Sequence, residues 1–204
     1  VTTNSSPRAA AAGQVIYDVP KSVELGRELV AQLRQAIPDS SFTNSGNLFI
    51  KAKRQPTVKV AYTCRVLVTA TNWTSYYSAA RGTNVLPGFS VEHRSGEPNI
   101  FRDDAGNELS GSQLDIPFAG SDFCRADLGL DYFHWPEQRV LKWEMYNHVG
   151  CQVLESRNPT PRPTGYSRVL SWIHDESRGI VRAEAYDAQG NFLKRFRPTE
   201  FEKV

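Results

Sequence analysis

The sequence predicts a mainly β protein of the α+β class, a strongly curved antiparallel sheet with helical segments covering its concave side. Three observations predict it. From Ser45 onward apolar residues recur with period two, the spacing of half-buried strands. Gly, Pro, Asn and Asp clusters cut that pattern into short runs that read as hairpins in a meander. Two stretches break it with helical spacing, 22–37 and 121–131. An open sheet of about eight to ten strands has to curl, and helices across its hollow side leave an apolar space beneath them.

Residues 1–14 form a polar and alanine-rich stretch that reads as a flexible N-terminal tail, ahead of a single domain over 15–204. Val15 to Val19 reads as a short edge strand. Pro20-Lys-Ser then announces a helix with Ser22 at its N-cap. Leu25, Leu29, Leu33 and Ile37 repeat every four residues along one stripe, and Pro38 stops it. The stretch 48–51 alternates as a strand. Val58, Val60, Tyr62, Cys64, Val66 and Val68 then face one way along a long strand with one buried side. Residues 72–77, Asn-Trp-Thr-Ser-Tyr-Tyr, carry the chain into an aromatic strand, and Pro87-Gly88 reads as a turn.

Residues 118–135 interrupt the strands. Ser121 is a candidate N-cap, Phe123, Ala126 and Leu130 share a helical face, Gly129 weakens the helix and Pro136 ends it. With Tyr132, Phe133 and Trp135 behind it, this segment reads as an apolar plug or lid. After it, Val140–Tyr146, Val149–Glu155, Tyr166–His174, Ile180–Asp187 and Phe192–Phe196 read as strands joined by turns at Asn147-His148, at 175–179 and at Gln189-Gly190.

Composition narrows the function classes. The net charge of +2 comes with Lys and Arg spread along the chain, unlike the basic stripe of a nucleic-acid binder. No run of apolar residues is long enough for a transmembrane helix. Three cysteines, Cys64, Cys124 and Cys151, lack zinc-ligand spacing. Cys124 and Cys151 are candidates for a disulfide, against the reading of three buried small apolar side chains. Gly-x-Ser-x-Gly, His-Glu-x-x-His and a phosphate-binding glycine loop are all missing, and His93, His134, His148 and His174 are scattered, so the chain reads as no enzyme and needs no cofactor or metal. Asp103-Asp-Ala-Gly-Asn reads as a turn rather than a calcium loop.

Gly120-Ser-Asp-Phe, Asp127-Leu, Cys151-x-Val-Leu-Glu, Tyr166-Ser-x-Val-Leu-Ser-Trp-Ile and Ala185-Tyr-Asp-x-x-Gly-x-x-x-Lys together resemble the outer membrane lipoprotein-sorting proteins. The resemblance is to the LolA-like group of the LolA/LolB lipoprotein-carrier fold. It is specific over about residues 117–197 and general before that. It implies an unclosed β-barrel lidded by helices, an exported periplasmic protein whose signal peptide is absent from this sequence, and a cavity that takes lipid or lipoprotein acyl chains between membrane-bound donor and acceptor proteins. The receptor branch carries lipid on an N-terminal cysteine, and this chain has none before Cys64, which favours a soluble carrier or chaperone. Trp73, Tyr76, Tyr77, Phe123, Leu130, Phe133 and Trp135 are the candidate acyl-cavity liners, each with a plain core-filling role as its competitor. A non-enzymatic envelope interaction module with a filled core is the alternative.

Overall fold

The computed structural model describes residues 14–198. The expected tail therefore lies outside the described residues, except Gln14, which opens a strand. The described chain groups into two compact units, residues 14–33 with 132–198, and residues 34–131. Each carries its own six-stranded antiparallel sheet with two open edges, so the twelve strands form two sheets where the sequence predicted about eight to ten in one. The predicted class holds: mainly β, antiparallel, few helices and, among the described residues, no closed barrel.

The first unit orders its strands β1 (Gln14–Ile16), β8 (Glu137–Tyr146), β9 (Val149–Arg157), β10 (Arg168–His174), β11 (Ile180–Tyr186) and β12 (Phe192–Phe196). Asn147 and His148 both take positive φ, 48° and 66°, the left-handed pair that a two-residue hairpin turn needs. On one face lies α1 (Val19–Gln35), which begins three residues before the predicted start. Asp18 Oδ1 accepts the Lys21 N–H at 3.0 Å and so caps the first turn. Ser22, the predicted cap, is instead buried and donates its hydroxyl to the Val140 carbonyl at 2.8 Å. Gly26 lets the helix touch β8, since a Cβ there would stand 2.5 Å from the Arg139 backbone nitrogen. Leu29 and Val30 pack with Tyr132, Phe133, Val140, Leu154 and Ile173, with Leu25 and Leu33 at the margin. Ile37 falls beyond the helix end and is 41% exposed, so the predicted stripe is one residue too long.

The second unit runs as an unbroken meander, β2 (Phe42–Ile50), β3 (Val58–Val68), β4 (Asn72–Arg81), β5 (Asn84–Arg94), β6 (Ile100–Asp103) and β7 (Glu108–Leu109). Pro87-Gly88 is a bulge inside β5, where the register to β4 shifts; the turn lies at residues 82–83. Glycine is required at the bulge because a Cβ on Gly88 would meet the Tyr77 carbonyl oxygen at 2.5 Å. Residues 103–107 do form a turn, with Asp103 accepting from the Ala105 and Asn107 amides.

Candidate functional site

Cross-strand register sorts the β2–β7 sheet into two unlike faces. One row of partners runs Val66, Ser75, Val91, Phe101, Leu109, and all five are buried. The row one residue away runs Thr43, Arg65, Tyr76, Ser90, Arg102 and points to the opposite side. The first face is apolar, as Val58 to Val68 predicted, with Val60 1% and Val66 3% exposed.

Residues 111–131 cover that apolar face. They are not the two-turn helix predicted for 121–131. A 3-10 turn over 111–115, another over 118–120 and the single α-turn α2 (Arg125–Leu128) follow one another, and Ala119 and Leu130 take positive φ. Ser121 caps no helix; its hydroxyl bonds the Phe118 carbonyl, and Asp127 accepts the Cys124 amide at 2.7 Å to start α2. Among the described residues the backbone bonds of this segment stay within it and with neighbouring Ser110, including Phe118 N–H to the Phe123 carbonyl at 2.7 Å.

What holds the segment down is rings and side-chain donors. Phe118 meets Tyr77 and Phe89 edge-on at 6.0 and 5.7 Å, and those two stack on each other at 4.9 Å. Tyr77 donates its hydroxyl to the Leu128 carbonyl at 3.1 Å, and Asn99 donates to the Gly129 carbonyl at 2.7 Å. Burial, with Cys64 opposite on β3, pushes the Tyr77 phenol well above its ordinary value, so it stays a donor. Burial likewise raises the Cys64 thiol.

The predicted liners do not converge on one wall. Trp73 and Tyr77 point to the apolar side of β4, where Trp73 stacks on His93 at 3.7 Å, and Phe123 and Leu130 belong to the covering segment. Tyr76 points the other way, as its place one residue from Tyr77 requires. Phe133 is buried in the core of the first unit, and Trp135 packs against that core. Sequence reasoning missed Phe89, Phe101, Phe118 and Asn99; the first two sit on the buried phase of β5 and β6, and that phase was their signal. Cys124 and Cys151 are buried and, like Cys64, are thiols; the predicted bridge is not formed among the described residues. Each belongs to the packing of its own unit, Cys151 beside Val153 and Trp172. Among the described residues no group of three or more His, Cys, Asp and Glu side chains is placed to hold a metal ion, and no helix is long and apolar enough to cross a membrane.

Residues 105–204 match a protein family described as uncharacterized-protein-like. No curated protein matches the chain. Several solved structures share its fold at low identity. A putative outer membrane lipoprotein-sorting protein domain from Vibrio parahaemolyticus superposes with a TM-score of 0.70 at 18% identity, covering 89% of this chain and 80% of that one. A DUF1329 family protein from Desulfovibrio piger gives 0.64 at 17%, over 86% and 78%. A LolA superfamily protein from Nitrosomonas europaea gives 0.57 at 15%, over 90% and 80%. The chain has the open β-fold of the LolA-like lipoprotein-sorting structures.

Proposed function

We propose that this chain is a periplasmic carrier in outer-membrane lipoprotein sorting, taking an acyl chain between the apolar face of the β2–β7 sheet and the segment 111–131. One observation carries the reading: that segment covers a buried apolar row through ring contacts and two side-chain bonds to its carbonyls, Tyr77 to Leu128 and Asn99 to Gly129. A lid so attached can lift without breaking a strand ladder. Apolar area then passes from lid to lipid with little net change, which suits a carrier that must release what it binds. Trp73, Tyr77, Phe123 and Leu130 are the predicted liners that fit this site. Cargo comes from a membrane-bound donor and passes to a membrane-bound acceptor, and no chemistry is done on it.

Held by area alone, an acyl ligand gains about 0.8 kcal/mol, or roughly fourfold, per buried methylene. Displacement of a fluorescent fatty acid by unlabelled acids of rising length checks this, with native mass spectrometry of the freshly purified protein to detect retained lipid. Affinity that climbs with chain length supports the carrier. No displacement at high micromolar concentration and no added mass would leave the alternative, an interaction module with a filled core. The packing of Phe133, 5% exposed in the first unit, favours that second reading there.

A further inference from the structure

The polar face of the β2–β7 sheet carries a half-open hollow of about 560 Å3. Its floor is the row Thr43, Arg65, Tyr76, Ser90 and Arg102, flanked by Thr63 and Ser78 on one side and Thr74 and Glu92 on the other. Solvent-facing sheet surfaces are common, but three features of this one point to a ligand.

The first is the ring of Tyr76, 40% exposed at the middle of the floor. On one strand it faces Arg65, whose guanidinium carbon lies 5.0 Å from the ring centroid. On the other it faces Ser90, whose side chain is too short to cover a ring. The second is the hydroxyl content of the walls. Threonines and serines offer donors and acceptors at once, and Thr63 is already oriented by Ser45 at 3.0 Å.

The third is charge. Glu92 accepts from Arg94 at 2.8 Å, Arg102 at 3.0 Å and the Asn72 amide at 3.2 Å. Asp104 accepts the Gly88 amide at 2.7 Å, and Asp103 is spent on its own turn. Arg65, Arg102 and the Arg94 that bonds Glu92 are thus set against Glu92, Asp103 and Asp104, three charges of each sign with no surplus of either. A phosphate would want surplus cation and a polyamine surplus carboxylate. An aromatic platform ringed by two-way hydrogen-bonding groups of balanced charge suits an uncharged polyol.

We propose that this hollow binds a neutral oligosaccharide, a sugar ring lying on Tyr76 and its hydroxyls bonding Arg65, Arg102 and the Thr and Ser walls. The Tyr76 platform faces the opposite side of the sheet from the acyl site, and the hollow meets that site only at Tyr77 and Phe89, which also line it.

The test is an amide-resolved NMR titration of the full chain with maltotriose and with triacetylchitotriose, beside inorganic phosphate and spermidine as charged comparators. Shifts confined to residues around Tyr76 and Ser90 are expected with a sugar at about 10 mM, where a millimolar ligand is mostly bound. Tyr76→Ala should weaken the response by roughly tenfold, while Tyr76→Phe stays within about threefold, because the ring and not its hydroxyl is the platform. Ser90→Leu keeps the ring but fills the space beside it, and should abolish binding as well. The proposal is overturned by silence from both sugars, by a response undiminished in Tyr76→Ala or Ser90→Leu, or by an equal response to phosphate or spermidine.

Discussion

Gly129 lies flush against the ring of Phe101: a Cβ on Gly129 would stand 2.6 Å from Phe101 Cε1 and 3.3 Å from Val91 Cγ1. The main chain of the lid therefore rests directly on the buried row of the sheet. Gly129→Ala should lift it, at a cost of about 1 to 3 kcal/mol in urea unfolding, as overpacking generally does. Hydrogen exchange should quicken over 125–131 and leave β3 and β4 unchanged. An unaltered urea midpoint would mean that the segment is already loose.

Leu29 is 3% exposed and packs in the core under α1, not under a mobile lid. Leu29→Ala should cost about 2 to 4 kcal/mol, with the m-value unchanged. A loss well under 1 kcal/mol would show that α1 sits on a space that collapses freely.

Glu184 gives the protein an acid limit. Burial works to raise its carboxyl, but hydrogen bonds from Arg182, Tyr186 and Arg195 outweigh that and hold it below the usual range. A depressed folded value means the stabilisation is present above about pH 4.3, the unfolded value, and fades as pH falls through the folded one. Glu92, with Arg94 first and then Arg102, acts in the same direction. Thermal unfolding followed from pH 7 to pH 3 should fall most below pH 4.5, and Glu184→Gln should flatten that fall while lowering stability at neutral pH.

The thiols make a separate test. Burial, then Asp175 and Glu144, pushes the Cys151 thiol up to about 11. At pH 8 the folded protein should react slowly with a thiol reagent, since the thiolate is the reactive form. Denatured without reductant, the chain should titrate all three cysteines. A titre of one would mean that Cys124 and Cys151 join after all.

Much of the fold was legible because it is written locally. Val58 to Val68 shows its buried face by alternation, and Asn147-His148 shows its turn by residue type. Errors arose where two local signals competed. Pro20 drew the helix start toward Ser22, although proline fits a first helical turn and Asp18 supplies the cap. Pro87-Gly88 has the composition of a turn and the geometry of a bulge. The division into two sheets was not legible, because no residue pattern states that β7 fails to pair with β8. The hollow escaped for another reason. Period two places Arg65 away from the core, but aromatic character draws Tyr76 in with Trp73 and Tyr77 as a liner, and a sequence names the face and not its curvature.

The order in which the chain is made bears on the first unit. Ser22 finds its partner Val140 118 positions later, because residues 34–131 build the other unit before β8 appears. At synthesis rates of about 5 to 20 residues per second, α1 waits roughly 6 to 24 seconds for the sheet that will bury Leu29 and Val30. Over that interval its apolar stripe is an adhesive surface on a nascent chain, while the meander of neighbouring hairpins can close as it emerges. Assembly of the first unit is gated by residues 132–198, made after the whole of the other unit.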